Sequence, residues 1–146
     1  MEKQEKEVNV LDELLKGACM GQDAIHFILE KVTEDGLKKE LDIQYNKYKK
    51  IADEIKELYP EYSDRKPHET STMNKVMTWY GIEMRTMTDD STSKLAELLM
   101  QGTNMGIIEG RKLLNNKKHL DTEVESILKE YIEMQERSVE IYKQYL

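Results

Sequence analysis

Apolar residues recur every three or four positions in five separate segments, and this spacing constrains the fold more than any other feature of the sequence. In the first segment the repeat includes Val8, Leu11, Leu14, Leu15 and Ala18. Residues at this spacing lie on one face of an α-helix. The five segments predict helices over 8–33, 37–59, 70–88, 91–115 and 121–145.

Turn-forming and capping residues lie between the predicted helices. The sequence PEYSDRKPHE at 60–69 contains both prolines of the chain and predicts a connection over the surface. Asp90 or Ser91 is suited to begin the fourth helix, and Asp121 the last one. With seven glycines and two prolines in 146 residues, the chain lacks the frequent turns of an all-β protein. The sequence therefore predicts a single all-α domain.

The balance of charges restricts the partners of the chain. It carries 22 Lys and Arg residues against 29 Asp and Glu residues, a net charge of −7, which argues against nucleic acid. Charged residues make up 35% of the sequence, so no apolar run is long enough to cross a membrane. The single cysteine, Cys19, has no partner for an internal disulfide, and the start MEKQEKEV lacks the apolar stretch of a secretory signal. We expect a cytoplasmic protein.

The two halves of the chain resemble each other. The pattern Gly-x-x-Met-Gly occurs at 17–21 and again at 102–106, an offset of 85 residues. The second and last predicted helices match in the same way after one further residue is inserted. Two similar helical hairpins joined by a long connection are typical of ferritin-like bundles. We therefore predict an antiparallel four-helix bundle of ferritin-like topology, with the shorter third helix as the crossover.

Three segments of the chain resemble a bacterial ferritin-like domain family of unknown function. They are the opening hairpin with LDELLKGACMGQDAIHFILEKV, the segment STMNKVMTWYGIEMRTM around Trp79, and LAELLMQGTNMGIIEGRKLL followed by a final helix. The resemblance extends from Val10 to Leu146 and implies a four-helix bundle with a crossover helix, without an established activity. Family members often have an acidic residue directly after the helix glycine, whereas Gln22 and Thr103 occupy these positions here. This departure weighs against a carboxylate site carried over from the family.

A di-iron centre is the metal site expected of a ferritin-like bundle, and it requires a Glu-x-x-His sequence on each of two helices. No Glu-x-x-His occurs in this chain. Asp23 and His26 have that spacing with a shorter carboxylate, and Glu109 lies near the apolar face of the fourth predicted helix. We favour a solvated or hydrogen-bonded His26 and a Glu109 side chain that reaches water. We expect no metal, no other cofactor and no catalytic residue.

Methionine is abundant, with nine residues, and Met73, Met77, Met84 and Met87 follow the helical repeat of the third predicted helix. Thioether sulfurs bind Cu(I), so methionines three or four positions apart could share one ion. Flexible methionines also fill irregular gaps where a crossover helix packs across a bundle, and we favour this packing interpretation. A third interpretation is a contact surface, because Trp79 lies on the same segment.

The first and fourth predicted helices contain five glycines, each of which costs roughly 1 kcal/mol relative to alanine. They are Gly17 and Gly21 in the first helix and Gly102, Gly106 and Gly110 in the fourth. Four-residue spacing places them on one face, which allows another backbone to approach closely. We predict that the first and fourth helices cross near these glycines, or that Trp79 packs against them. Cys19, beside the same apolar face, is expected to be a small buried side chain.

Association rather than catalysis is the function that the sequence favours. The simplest partner is a second copy, which would give a homodimer, and the alternative is another protein bound through the third helix. A second interpretation is an atypical metal-binding or redox protein that uses Asp23, His26 and Glu109. A third is a carrier of a small apolar ligand in a pocket between the helices.

Overall fold

Five α-helices and one short 3₁₀ turn form the computed structural model, which describes residues 2–67, 72–116 and 119–146. These three stretches contain no strand. The helices are α1 (Glu2–Leu29), α2 (Asp35–Leu58), α3 (Thr72–Thr86), α4 (Thr92–Asn116) and α5 (Thr122–Lys143), with the 3₁₀ turn at Tyr59–Glu61. The all-α class predicted from the sequence is confirmed.

Most helix ends lie within a few residues of their predicted positions, and the start of α1 differs most. The sequence EKQEKE at 2–7 contains good helix formers but no apolar residue, so periodicity does not detect this part of the helix. The predicted start of the third helix, at 70, lies outside the described residues. Ser91 caps α4, since the N–H of Lys94 donates to Ser91 Oγ at 3.2 Å. Asp121 holds the N-cap position of α5 without a capping bond from its side chain.

Contacts across the core give the directions of the four long helices. Tyr48 and Gln44 of α2 contact Gln135 and Ser138 of α5, so these two helices run antiparallel. The short connections make α1 antiparallel to α2, and α4 antiparallel to α5, and these two pairs make the most extensive contacts between helices. α1 also packs against α4. The order of directions is therefore up for α1, down for α2, down for α4 and up for α5.

α3 runs alongside α1 in the same direction. Lys75 Nζ lies 3.8 Å from Asp23 Oδ1, and Glu83 Oε1 lies 3.0 Å from Lys31 Nζ. The two contacts are eight residues apart along both segments, since Lys31 follows α1 by two residues, and this requires a parallel arrangement. α3 therefore carries the chain from the end of the molecule where α2 finishes to the end where α4 begins.

The core lies between α1, α2, α4 and α5, with buried side chains from all four helices. Ile82 of α3 joins it from outside. Cys19, expected to be buried, is partly buried and packs against this core. The largest fully buried side chains of the core are Tyr59, Tyr142, Leu11, Leu14, Leu15, Ile28, Leu37, Leu41, Ile51, Ile55, Leu95 and Leu128.

Candidate functional site

The methionines of α3 face solvent. Together with Tyr80 and with Met87, which directly follows the last residue of the helix, they form an apolar row, here called the α3 stripe, which consists of Met73, Met77, Tyr80, Met84 and Met87. Each of these side chains is between 53% and 77% exposed. The buried residues on the opposite face of α3 are Ile82 and Thr86, through which the helix rests on the rest of the molecule. The packing interpretation of the methionines is therefore wrong.

The α3 stripe has the spacing of a coiled-coil seam. Its residues are separated by four, three, four and three positions, an average of 3.5. Side chains at this repeat stay on one face of a helix and pack against a second helix. Val76 and Trp79 extend the apolar surface on one side of the stripe and are about half exposed. The surface therefore has the pattern of a helix that lacks its partner.

A layer of neutral polar side chains crosses the core between α2 and α5. Gln44, Tyr48, Gln135 and Ser138 are all buried. The hydroxyl of Tyr48 donates to Gln135 Oε1 at 3.1 Å, and Ser138 Oγ lies 2.6 Å from Gln44 Oε1. Because hydrogen bonds are directional, this layer fixes the lengthwise position of α2 relative to α5.

One hydrogen-bonding atom of the buried Gln44 side-chain amide has no partner in this layer. Ser138 Oγ also lies 2.9 Å from the carbonyl oxygen of Met134, and a hydroxyl hydrogen serves one acceptor at a time. Gln44 Nε2 makes no hydrogen bond among the described residues. If the amide is rotated so that Nε2 donates to Ser138, Oε1 loses its donor instead. One buried amide atom is left over in either orientation.

The tyrosines of this region keep their protons near neutral pH. Burial raises the pKa of Tyr48 well above its ordinary value, and the neighbouring Tyr131 and Tyr142 hydroxyls raise it further. Burial also raises the pKa of Tyr131 to about 12. The layer therefore supplies uncharged hydrogen-bonding groups, and its chemistry suits the positioning of helices.

Four of the five helix glycines lie under side chains from α2 or α5 that leave no room for a Cβ. The pairs are Gly17 with Tyr131, Gly21 with Tyr48, Gly106 with Gln135, and Gly110 with Ile132. The fifth, Gly102, is exposed, with open space where a Cβ would lie. At these four positions another part of the chain does come close, but the nearest atoms belong to side chains. The expectation of a crossing backbone or of Trp79 at these glycines is wrong, because the larger residues of α2 and α5 fill the space.

Asp23, His26 and Glu109 do not form a metal cluster. The Asp23 carboxylate contacts Lys75, and its pKa is raised by burial against the opposing effects of Lys75 and His26. His26 is exposed, and Glu109 is exposed beside Lys112 at 3.9 Å, which confirms that the Glu109 side chain reaches water. In the described parts of the chain, no three His, Cys, Asp or Glu side chains are grouped so that they could hold a metal ion.

Two depressions on the described surface are open to solvent. One lies along α5 and is lined by polar side chains such as Glu125 and Lys129. The other lies beside α3 and is lined in part by Lys31, Trp79 and Met84. Neither is the enclosed apolar pocket that a carrier of small ligands uses.

Sequence reasoning did not find the polar layer, although the sequence carries a signal for it. Gln44 lies three residues after Leu41 and four before Tyr48, which is the spacing of the buried face of α2. Ser138 is likewise four residues after Met134 on the buried face of α5. A polar residue at such a position predicts a buried hydrogen bond rather than an interruption of the core.

Comparison of the chain with known protein families, curated proteins and solved structures gives no match. The resemblance to a ferritin-like family therefore stays a prediction. None of the helices described here is both long enough and apolar enough to cross a bilayer.

Proposed function

We propose that this protein is a cytoplasmic ferritin-like helical bundle that acts by self-association through the α3 stripe rather than by catalysis. The order of helix directions supports the ferritin-like assignment, since two antiparallel hairpins are joined by a crossover helix that runs parallel to the C-terminal part of α1. The exposure of the α3 stripe is the observation that carries the proposed association.

The size of the apolar surface fits a protein interface. With about 200 Å² for a full methionine or aromatic side chain, the exposed fractions of the α3 stripe, Val76 and Trp79 amount to roughly 800 Å². Each partner in a standard interface contributes about this area. Contiguous apolar patches on monomeric proteins are usually smaller, about 300–600 Å².

A second copy of the chain supplies the complementary helix. The α3 stripe repeats every 3.5 residues, and the side chains that pack well against such a seam belong to a helix with the same repeat. The stripe carries no charge, so pairing two copies buries no ionised group along the seam. The helix that carries this surface packs mainly against α1.

Sedimentation velocity over micromolar to submillimolar concentrations tests this function. The wild-type chain is expected to sediment as a dimer, and the double variant Met77→Glu/Met84→Glu as a monomer, because two charges would be buried in each stripe. Ile43→Glu is the matched control, since Ile43 is also an exposed apolar residue but lies on α2. A wild-type monomer at every concentration, or a double variant that dimerises like the wild type, would contradict the proposal.

A further inference from the structure

We infer that the two copies pair through α3 against α3, in antiparallel orientation, about a twofold axis that passes near Tyr80; this rests on the proposed self-association. The α3 stripe has the same composition in both directions, with two methionines on each side of Tyr80. A twofold interface joins the same surface of both subunits, so that surface must be complementary to itself. The α3 stripe meets this requirement, because its order Met, Met, Tyr, Met, Met is the same from either end.

Charges at the two ends of α3 favour the antiparallel orientation. Asp89 and Asp90 follow the last turn of α3 and are exposed, and a hydrogen bond from Ser91 lowers the pKa of Asp89. At the start of α3 the free backbone N–H groups add partial positive charge, while Lys75 in the first turn is paired with Asp23 of its own chain. Arg85 in the last turn offsets only one of the two aspartates. An antiparallel pair places the acidic end of each α3 beside the start of its partner. A parallel pair would bring the acidic ends of the two copies together.

The residues beside the α3 stripe permit close approach of a second helix. Gly81 lies on one flank, and a Cβ there would meet no neighbouring atom within 4 Å. Val76 and Glu83 lie on the other flank, and the Glu83 carboxylate is already paired with Lys31 of its own chain at 3.0 Å. Gly81 therefore leaves space for a second helix on its flank of the stripe. On the other flank, the Glu83 charge is already compensated within its own chain.

Pairing of α3 with α3 also limits the assembly to two chains. α4 exposes a second, smaller apolar surface at Met105 and Ile108. If the α3 stripe of one copy bound this α4 surface of the next, one end of the assembly would still offer an unused stripe and the other an unused α4 surface, and further copies would add in a row. Two stripes that cover each other leave neither exposed, and the assembly stops at two chains.

Cross-linking between copies tests the orientation. In a Cys19→Ala background, one protein carries Met73→Cys and the other, extended by a tag that distinguishes it by size, carries Met87→Cys. After mixing, a short bis-maleimide is expected to give a mixed product several-fold more abundant than either product formed between identical chains. Ile43→Cys, on α2, is the control and is expected to give no cross-linked dimer.

The possible results separate the orientation from the proposed function. Sedimentation first establishes that each cysteine variant still dimerises. Predominant cross-linking of Met73→Cys to a second Met73→Cys chain would show a parallel pair and overturn the inference. If Met77→Glu/Met84→Glu abolishes the dimer but no α3 cross-link forms, the stripe binds another surface, so the inference fails and self-association stands. A wild-type monomer would overturn both.

Discussion

The phenol ring of Tyr48 lies directly over Gly21, so that a methyl group on the glycine would lie 2.7 Å from the ring carbon Cζ. The ring is also held from α5, because its hydroxyl donates to Gln135 Oε1 at 3.1 Å. Tyr48 therefore cannot move away from α1 without breaking a buried hydrogen bond. The small size of Gly21 determines how closely α1 and α2 pack.

Gly21→Ala is expected to lower the free energy of unfolding by about 2 kcal/mol, since overpacking at a core contact exceeds the gain in helix propensity. Urea denaturation followed by circular dichroism measures the change. An unfolding midpoint equal to or above that of the wild type would contradict this contact.

Gly102→Ala is the matched substitution on α4 and is expected to have the opposite effect. A Cβ at Gly102 would meet open space, so the variant gains helix propensity and stabilises the protein by about 0.5–1 kcal/mol. The same urea titration applies. A loss of stability would mean that Gly102 contacts another side chain.

Tyr48→Phe is expected to cost about 1–2 kcal/mol, because Gln135 Oε1 would lose its buried donor. Tyr45→Phe serves as the control, since Tyr45 is only partly buried and its hydroxyl makes no hydrogen bond to the described residues. Thermal and urea unfolding of both variants give the comparison. Equal stabilities for the two variants would argue against the hydrogen bond to Gln135.

Gln44→Met is expected to raise the free energy of unfolding by about 1 kcal/mol. Methionine has a similar length and removes the buried amide atom that no group satisfies, while Ser138 keeps its bond to the Met134 carbonyl. Gln44→Ala, which leaves a cavity, is expected to destabilise instead. Destabilisation by both substitutions would show that the amide is fully satisfied, for instance by an internal water molecule.

Asp23→Asn is expected to stabilise the protein at neutral pH, with an advantage that disappears in acid. Burial raises the pKa of this carboxyl above 3.8, its value in the unfolded chain, so the folded state holds the proton more tightly. Stability from this group is present below pH 3.8 and is lost as the pH rises through the folded-state pKa. Melting temperatures of the variant and the wild type across this range measure the difference. A difference that does not depend on pH would contradict the raised pKa.

Helix positions could be predicted from the sequence because periodicity reports which residues share a face. It does not report which way that face points. In α3 the five stripe residues form the longer apolar row, so they resemble a core-facing surface, whereas the helix rests on the molecule through Ile82 and Thr86. Choosing the face with more apolar residues therefore predicted the wrong face of α3 as the one that packs against the core.

The candidate site was only partly predictable for a similar reason. The sequence favoured a solvated or hydrogen-bonded His26 and a Glu109 side chain that reaches water, and both residues are exposed. The contact between Tyr48 and Gln135 joins residues 87 positions apart, and no local pattern connects them. Pairing of this kind depends on how α2 and α5 pack, which one sequence does not reveal.

The position of α3 on the outside of the molecule has a consequence for evolution. Substitutions in its outward face leave the packing of α1, α2, α4 and α5 unchanged, whereas nearly every other apolar row of the chain is constrained by its neighbours. Descendants of a common ancestor can therefore gain, lose or exchange partners through a few changes on one helix. Under the proposed association, selection on recognition would act on the outward face of α3, and selection on foldability on the residues of the core.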